Sequence, residues 1–119
     1  MTQSFEMLSP AAKTKLETAL TKAESQLQSA QKAKFKSGED DEKLSKKLLP
    51  STGPLVTGLR NDFKAGKYTA MAASIKAWQT TNAESITAVK GLVTKGRLTL
   101  TALVILIDHI DEVRKAAKQ

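Results

Sequence analysis

The residues best suited to catalysis or metal binding lie near the C-terminus, around the single histidine, His109. Asp108, Asp111 and Glu112 are its neighbours in sequence, and on a helix His109 and Glu112 would share a face. One helix supplies at most two such ligands, whereas a metal such as zinc requires three or four. The pattern therefore favours a structural or surface histidine, and no metal site is predicted.

Other catalytic signatures are missing from the sequence. The chain has no cysteine, which excludes disulfides, thiolate ligands and cysteine nucleophiles. No serine has a histidine partner at a recognisable spacing, and no glycine-rich phosphate loop is present. Asp40 and Asp41 are adjacent rather than placed as a carboxylate pair. We therefore predict a protein that is not an enzyme and that uses no cofactor.

Positive charge is the strongest functional signal, and it is concentrated in the middle of the chain. The net charge is +7, of which residues 43–100 contribute ten Lys or Arg against two acids. Such an asymmetry bears on partners rather than on fold. It predicts a basic face that meets an acidic protein surface. The candidate partner-binding residues are Lys46, Lys47, Arg60, Lys64, Lys67 and Lys90.

Nucleic acid is the rival partner for such a face. Arg binds phosphate and guanine through two parallel hydrogen bonds, yet 16 of the 19 basic residues are Lys. Aromatic residues make up only 4% of the chain, so few platforms exist for base stacking. The composition favours a protein partner and keeps RNA or DNA as the alternative. Weak self-association through a partly exposed last helix is a third hypothesis.

The first half of the chain predicts helices. Ser9 and Pro10 form a helix start, and apolar residues then recur every three or four positions to about Lys36. The segment "GEDDEKLSKKLLP" predicts a short solvated helix that ends at Pro50. A short linker over residues 37–52 is the alternative.

A helical hairpin is predicted for the centre of the chain. Ser51 or Thr52 would cap a helix that runs to Phe63, and Gly66 suits the left-handed position after its end. The next helix would cover residues 69–80, antiparallel to the one before it. Its inward face is expected to be Met71, Ala72, Ile75 and Trp78.

The remaining sequence predicts two more helices. "TNAE", from Thr81 to Glu84, has the pattern of a capping box. The last helix would run from about Thr99 to Ala117, and its ten-residue apolar run is too short for a bilayer, which needs roughly 20 residues. The first half of this helix is apolar nearly all round, so the helix is predicted to lie at the centre of the fold. We predict one all-α domain over residues 1–119, an antiparallel helical bundle of five or six helices.

Two stretches, "GPLVTGLRNDFKAGKYTAMAASIKAW" and "AVKGLVTKGR", resemble a known helical domain. It is shared by the steroid receptor RNA activator protein and the C-terminal part of the large outer-cage subunit of the COPII vesicle coat. The likeness covers about residues 50–98 and is carried by apolar helix positions rather than by a catalytic signature. The matching residues are Leu55, Val56, Leu59, Tyr68, Ala70 to Ala73, Val89, Lys90, Leu92 and Val93.

The resemblance implies a non-enzymatic protein-interaction module. A coat-like domain would support coat assembly in ER-to-Golgi transport, in the cytoplasm at ER membranes or vesicles, with other coat subunits as partners. An activator-like domain would be a nuclear RNA-associated or transcriptional coregulator bundle that binds RNA or an acidic partner. The start, "MTQSFEML", lacks a basic region followed by an apolar run, so no secretory signal is predicted.

Overall fold

The computed structural model of the protein describes residues 8–33, 40–96 and 100–117, and this part of the chain is helical without any strand. It confirms the predicted all-α fold class. The first helix ends at Lys32 rather than at Lys36, and residues 34–36 lie outside the described ranges. The helices are α1 (Pro10–Lys32), α2 (Asp40–Lys64), α3 (Tyr68–Thr81), α4 (Ala83–Thr94) and α5 (Thr101–Ala117).

Side-chain contacts show that α2 runs antiparallel to α1 and to α3. Arg60, late in α2, bonds Glu24 in the middle of α1, while Gly53, earlier in α2, faces Gln31 near the end of α1. On its other side, the ring centroids of Phe63 and Tyr68 lie 6.1 Å apart where α2 turns into α3. Farther along, Trp78 of α3 bonds Ser51 of α2.

The helix α4 follows α3 after a break at Asn82, and α5 contacts both. Gln79 of α3 bonds Asp111 of α5, and Lys90 of α4 pairs with Asp108 one turn earlier in α5. The most extensive helix contact is that of α1 with α5. The described helices form a bundle of four columns, α1, α2, α3 with α4, and α5, and we call α3 followed by α4 the third column.

The core fills the space between the four columns and consists mainly of aliphatic residues. The predicted inward face of α3 is buried, including Trp78 at 6% exposure. The helix α5 contributes the most buried side chains, which confirms its predicted central place. The largest fully buried side chains are Leu16, Leu20, Leu48, Leu59, Met71, Ile75, Val89, Leu100, Leu103, Leu106, Ile110 and Val113.

The prediction that Pro50 ends a helix is wrong, because α2 continues through both Pro50 and Pro54. The hydroxyls of Ser51 and Thr52 do not cap a new helix. Both donate back to the carbonyl of Leu48, at 2.9 Å and 2.6 Å, inside the continuous helix. Burial of Leu48 and Thr52 on this stretch supplies the tertiary stabilisation that helix propensity lacks. Residues 40–52, considered above as linker, are therefore helical.

The turn between α2 and α3 confirms the role predicted for Gly66, which has φ 74°. The amide of Gly66 donates to the carbonyl of Phe63 at 3.1 Å, and the amide of Lys67 donates to that of Asp62 at 2.8 Å. These two bonds form a Schellman motif, which satisfies the last carbonyls of α2. The tight turn sets α3 against α2.

The predicted capping box at Thr81 is wrong. Thr81 is the last residue of α3, and Asn82 is the residue between α3 and α4. The Asn82 side-chain amide donates to the carbonyl of Trp78 at 2.9 Å instead of capping α4. A single residue therefore joins the two halves of the third column.

Candidate functional site

The main candidate site is an open groove between the first part of α2 and the second part of α4, with a volume of about 500 Å³. We call it the α2–α4 groove. It exists because α4, beyond the Asn82 break, covers the N-terminal half of α2 without filling the space beside it. Its lining residues are Lys43, Leu44 and Lys47 from α2, Ala88, Gly91 and Leu92 from α4, and Lys95 directly after α4.

The rim of the groove is basic. Lys43 and Lys47 stand one turn apart on the α2 wall, and Lys95 follows the last turn of α4 on the other wall. All three are exposed. None of them forms an ion pair with another of the described residues. No carboxylate is among the lining residues that the structure describes, and Glu84 lies in the adjoining pocket beside Lys47, so the groove itself is lined by positive charge.

The floor of the groove is apolar. Leu44 and Leu92 are half-buried and pack against the core. Ala88 and Gly91 lie on the same face of α4, three residues apart, and leave its backbone thinly covered. A Cβ added to Gly91 would meet nothing within 4 Å. The site therefore combines apolar surface with flanking cations, which is the composition of a protein-docking surface rather than of a catalytic centre.

Of the six predicted binding residues, the structure places only Lys47 in this groove. Lys46 pairs with Glu42 at 3.7 Å on another face of α2, and Lys90 pairs with Asp108 at 3.5 Å on the α5 side of α4. Lys64 is 17 residues beyond Lys47, about 25 Å away along the helix. The six residues therefore do not form one continuous basic face.

Lys67 also lies far from the groove, in the turn between α2 and α3. The exposed Lys64 and Lys67 together mark the opposite end of α2. Charge at that end is separated from the groove by several Debye lengths at physiological salt, where one Debye length is about 8 Å. We therefore treat these two lysines as references for the groove rather than as part of it.

Arg60, on α2, binds carboxylates of α1 and so connects the two helices. Its Nε donates to Glu24 Oε2 at 3.0 Å and a terminal nitrogen donates to Glu24 Oε1, while Glu17 lies 3.6 Å away. The guanidinium also stands over the Phe63 ring, 5.5 Å from its centroid. Hydrogen bonding to the Glu24 carboxylate raises the pKa of Arg60 above its ordinary value. With these partners, Arg60 is a structural clamp and not an open binding residue.

His109 lies half-buried on α5. Within residues 8–33, 40–96 and 100–117, no three His, Asp or Glu side chains come together as metal ligands. None of the helices described there is long and apolar enough to span a membrane.

A second groove, of about 470 Å³, lies between α1 and α2. Its lining includes Ser25, Gln28 and Gln31, and its one charged group, Glu24, is already bound by Arg60. Its apolar lining is limited to Leu27 and Val56, and it offers no free charge. The α2–α4 groove is the stronger site.

Sequence reasoning missed Lys43 and Lys95 as site residues. One signal was present: Lys43, Leu44 and Lys47 share a face of α2, and positions 88, 91, 92 and 95 share a face of α4. The signal becomes a site only when α2 and α4 are known to be neighbours. That adjacency depends on the continuous α2, whereas the sequence pattern predicted a break at Pro50.

Comparison with known proteins adds no relative: no family model, curated protein or solved structure shows significant similarity to this chain.

Proposed function

We propose that this protein is a non-enzymatic protein-interaction module that docks an acidic partner in the α2–α4 groove. The observation that carries the proposal is the juxtaposition of three exposed lysines with an apolar floor. Lysines at the rim steer a partner and set its selectivity, while burial of the apolar floor supplies most of the binding free energy. The lining residues include no hydroxyl, imidazole or carboxylate, so they offer no acid–base pair for a reaction.

A protein partner is favoured over nucleic acid by the state of the arginines and aromatic residues. Arg60 is bound by Glu24, and Arg114 is bound by Asp111 at 3.0 Å. Phe63, Tyr68 and Trp78 are buried, so none of the three presents a face for base stacking. A groove whose described lining offers lysines but neither Arg nor an aromatic side chain is a poor reader of bases. Phosphate contact by the lysines alone keeps RNA as the competing hypothesis.

The resemblance to the COPII outer-cage domain indicates which partners to test first. On that hypothesis the module helps coat subunits assemble at ER membranes or vesicles, in the cytoplasm. The steroid receptor RNA activator protein suggests the alternative, a nuclear module that binds RNA or a coregulator. The partner decides between the two, because both hypotheses use the same basic groove.

The experiment compares two charge-reversal variants that have the same net charge. The groove variant is Lys43→Glu, Lys47→Glu and Lys95→Glu, and the control variant is Lys64→Glu, Lys67→Glu and Lys76→Glu. Binding to purified COPII coat subunits is measured by isothermal titration, and binding to single-stranded RNA by gel shift at about 50 mM salt. Circular dichroism verifies that both variants retain the helical content of the parent protein.

The proposal predicts that coat-subunit binding is weakened at least tenfold in the groove variant, about 1.4 kcal/mol, and is kept in the control. Equal weakening of both variants would mean that overall charge, and not the groove, drives association. Failure of every coat subunit to bind would refute the coat assignment. Retention of RNA that disappears only in the groove variant would replace the protein partner with RNA.

A further inference from the structure

We infer that the segment bound in the α2–α4 groove is a short amphipathic α-helix that carries carboxylates on both sides of its apolar stripe. The inference rests on the proposed docking function and specifies the chemistry and conformation of the partner. Three properties of the groove support it: the hydrogen-bonding capacity of the lining, the small side chains at the floor, and the positions of the charges.

The hydrogen-bonding capacity of the lining favours a helix over an extended peptide. The floor residues Leu44, Ala88, Gly91 and Leu92 have no polar side chain, and their backbone amides and carbonyls belong to α2 and α4. The rim lysines donate hydrogen bonds but cannot accept any. An extended segment would therefore leave its own N–H groups without acceptors against an apolar surface, which is costly. A helix satisfies these groups internally.

The floor permits close approach of such a helix. Ala88 and Gly91 stand three residues apart on the exposed side of α4, and the space above Gly91 is empty to beyond 4 Å. Helix axes approach most closely where the contact residues are small. A bulky aliphatic side chain on the partner can pack over Gly91 between the half-buried Leu44 and Leu92. The partner helix would add to the bundle as a further column.

The charges on the rim define the sides of the partner helix. Lys43 and Lys47 are four residues apart on the α2 wall, so two carboxylates one turn apart on the partner would face them. Lys95 stands on the α4 wall, so at least one carboxylate is needed on the opposite side. The apolar stripe between these carboxylates meets the floor. This arrangement excludes a uniformly acidic coil, which would bind the lysines but bury nothing.

The groove also limits the length of the contact. Along α4 and the residue after it, the groove extends over the eight residues from Ala88 to Lys95, roughly 10 Å, which corresponds to two helical turns. An isolated helix of that length is not stable in water, so a free peptide must fold as it binds. We therefore expect modest affinity from a free peptide and strong dependence on its helix propensity.

The test uses three fluorescein-labelled peptides of about 15 residues, made of Ala, Leu, Glu and Gln with capped ends. The first places leucines at helical spacing with glutamates on both sides of the leucine stripe. The second has the same composition in scrambled order, and the third is the first with a central proline. Binding to the whole chain is measured by fluorescence anisotropy at two salt concentrations, and the Gly91 amide is followed by ¹⁵N NMR.

Two substitutions examine the site itself. Gly91→Leu fills the groove from its floor, and Gly58→Leu is the control, because Gly58 is another helical glycine with nothing within 4 Å of an added Cβ. Gly58 lies on α2 eleven residues beyond Lys47 and does not line the groove. Unfolding curves of both variants establish that they are folded before binding is compared.

The inference predicts that the amphipathic peptide binds, shifts the Gly91 amide signal and loses affinity as salt rises. The scrambled and proline peptides should bind at least about tenfold more weakly. Gly91→Leu should abolish binding of the amphipathic peptide, and Gly58→Leu should leave it unchanged. Equal affinity of the amphipathic and scrambled peptides, or binding that survives Gly91→Leu, would overturn the inference.

The outcomes separate this inference from the proposed function. If the groove charge-reversal variant loses a folded acidic partner while the three peptides behave alike, docking stands and the helical ligand is wrong. If no acidic protein responds to the groove variant, the docking function is itself wrong.

Discussion

The indole N–H of Trp78 donates to the hydroxyl oxygen of Ser51 at 3.1 Å, joining α3 to the proline-bearing stretch of α2. The same hydroxyl donates to the carbonyl of Leu48 at 2.9 Å. Ser51 thus links the single tryptophan to the backbone of α2 between Pro50 and Pro54. This link explains how α2 and α3 remain aligned where prolines interrupt the helical hydrogen bonding.

We expect Ser51→Ala to lower the free energy of unfolding by about 1 kcal/mol, because the buried indole N–H loses its acceptor. Urea unfolding followed by far-UV circular dichroism measures the change in all variants, including those that lack the single tryptophan. A double-mutant cycle with Trp78→Phe isolates the bond: the Ser51→Ala effect should shrink when the indole N–H is absent. An unchanged effect in the Trp78→Phe background would assign the loss to the Leu48 carbonyl instead.

Replacement of Arg60 by Lys should destabilise the protein by about 1 to 2 kcal/mol, since Lys cannot form two parallel bonds to Glu24. The side chain of Arg60 is only 22% exposed, so solvent screens the pair incompletely. Thermal unfolding by circular dichroism measures the loss. Lys64→Met, on the exposed side of the same helix, is the control and should change stability little.

Asp111 should make stability depend on pH in the acid range. Burial alone would raise the pKa of its carboxyl, but hydrogen bonds from Gln79 and Arg114 and the charge of Arg114 outweigh burial and lower that pKa below 3.8. A lowered folded-state pKa gives stability that is present above the unfolded value and is lost as pH falls through the folded value.

Asp111→Asn should therefore cost stability at pH 7, by about 1 kcal/mol. The difference between the two proteins should decline as the pH falls from 3.8, the ordinary carboxyl value, through the lower folded-state pKa, below which both side chains are neutral. Unfolding temperatures measured from pH 7 to below pH 3 test this. A difference that stays constant with pH would show that Asp111 acts through shape and not through charge. Asp108→Asn, at an exposed pair, is the comparison.

Substitution by alanine should change the stability of the protein in opposite directions at two glycines, one in the last turns of α4 and one just after that helix. Gly91 lies inside α4 with open space around it, so Gly91→Ala should stabilise by about 0.5 to 1 kcal/mol. Gly96 has φ 101°, a conformation that an L side chain strains to adopt, so Gly96→Ala should destabilise. Urea unfolding of both variants measures the two changes in stability. A stabilising Gly96→Ala would contradict the left-handed conformation of Gly96 in the turn.

Local chemistry explains which parts of this fold could be predicted from sequence. Ser9 accepts from the amide of Ala12 at 3.1 Å as a helix cap should, and Gly66 takes the left-handed conformation expected of it. Both depend on residues only a few positions apart. The apolar stripe of α3 was also predictable, because helical spacing alone assigns Met71, Ile75 and Trp78 to one face.

The features that could not be predicted depend on contacts between distant residues. The continuity of α2 past Pro50 relies on burial of Leu48 and Thr52 and on the Trp78 bond 27 positions away. Arg60 belongs to the predicted basic set by sequence, but Glu24, 36 positions earlier, holds it. Neither contact is indicated by the sequence immediately around the residues that form it. The basic groove was missed for the same reason, since it joins parts of α2 and α4.

In the third column, the single residue between α3 and α4 sets the angle by which α4 is rotated about the helix axis relative to α3. Each residue added to a helix rotates the rest of that helix by about 100°. Insertion of one alanine after Asn82 would thus leave Trp78 and the first half of the column in place, while the side of α4 that bears Gly91 would swing away from Lys43. One peptide unit, beside a pocket that Asn82 and Lys47 both line, sets whether the two walls face each other.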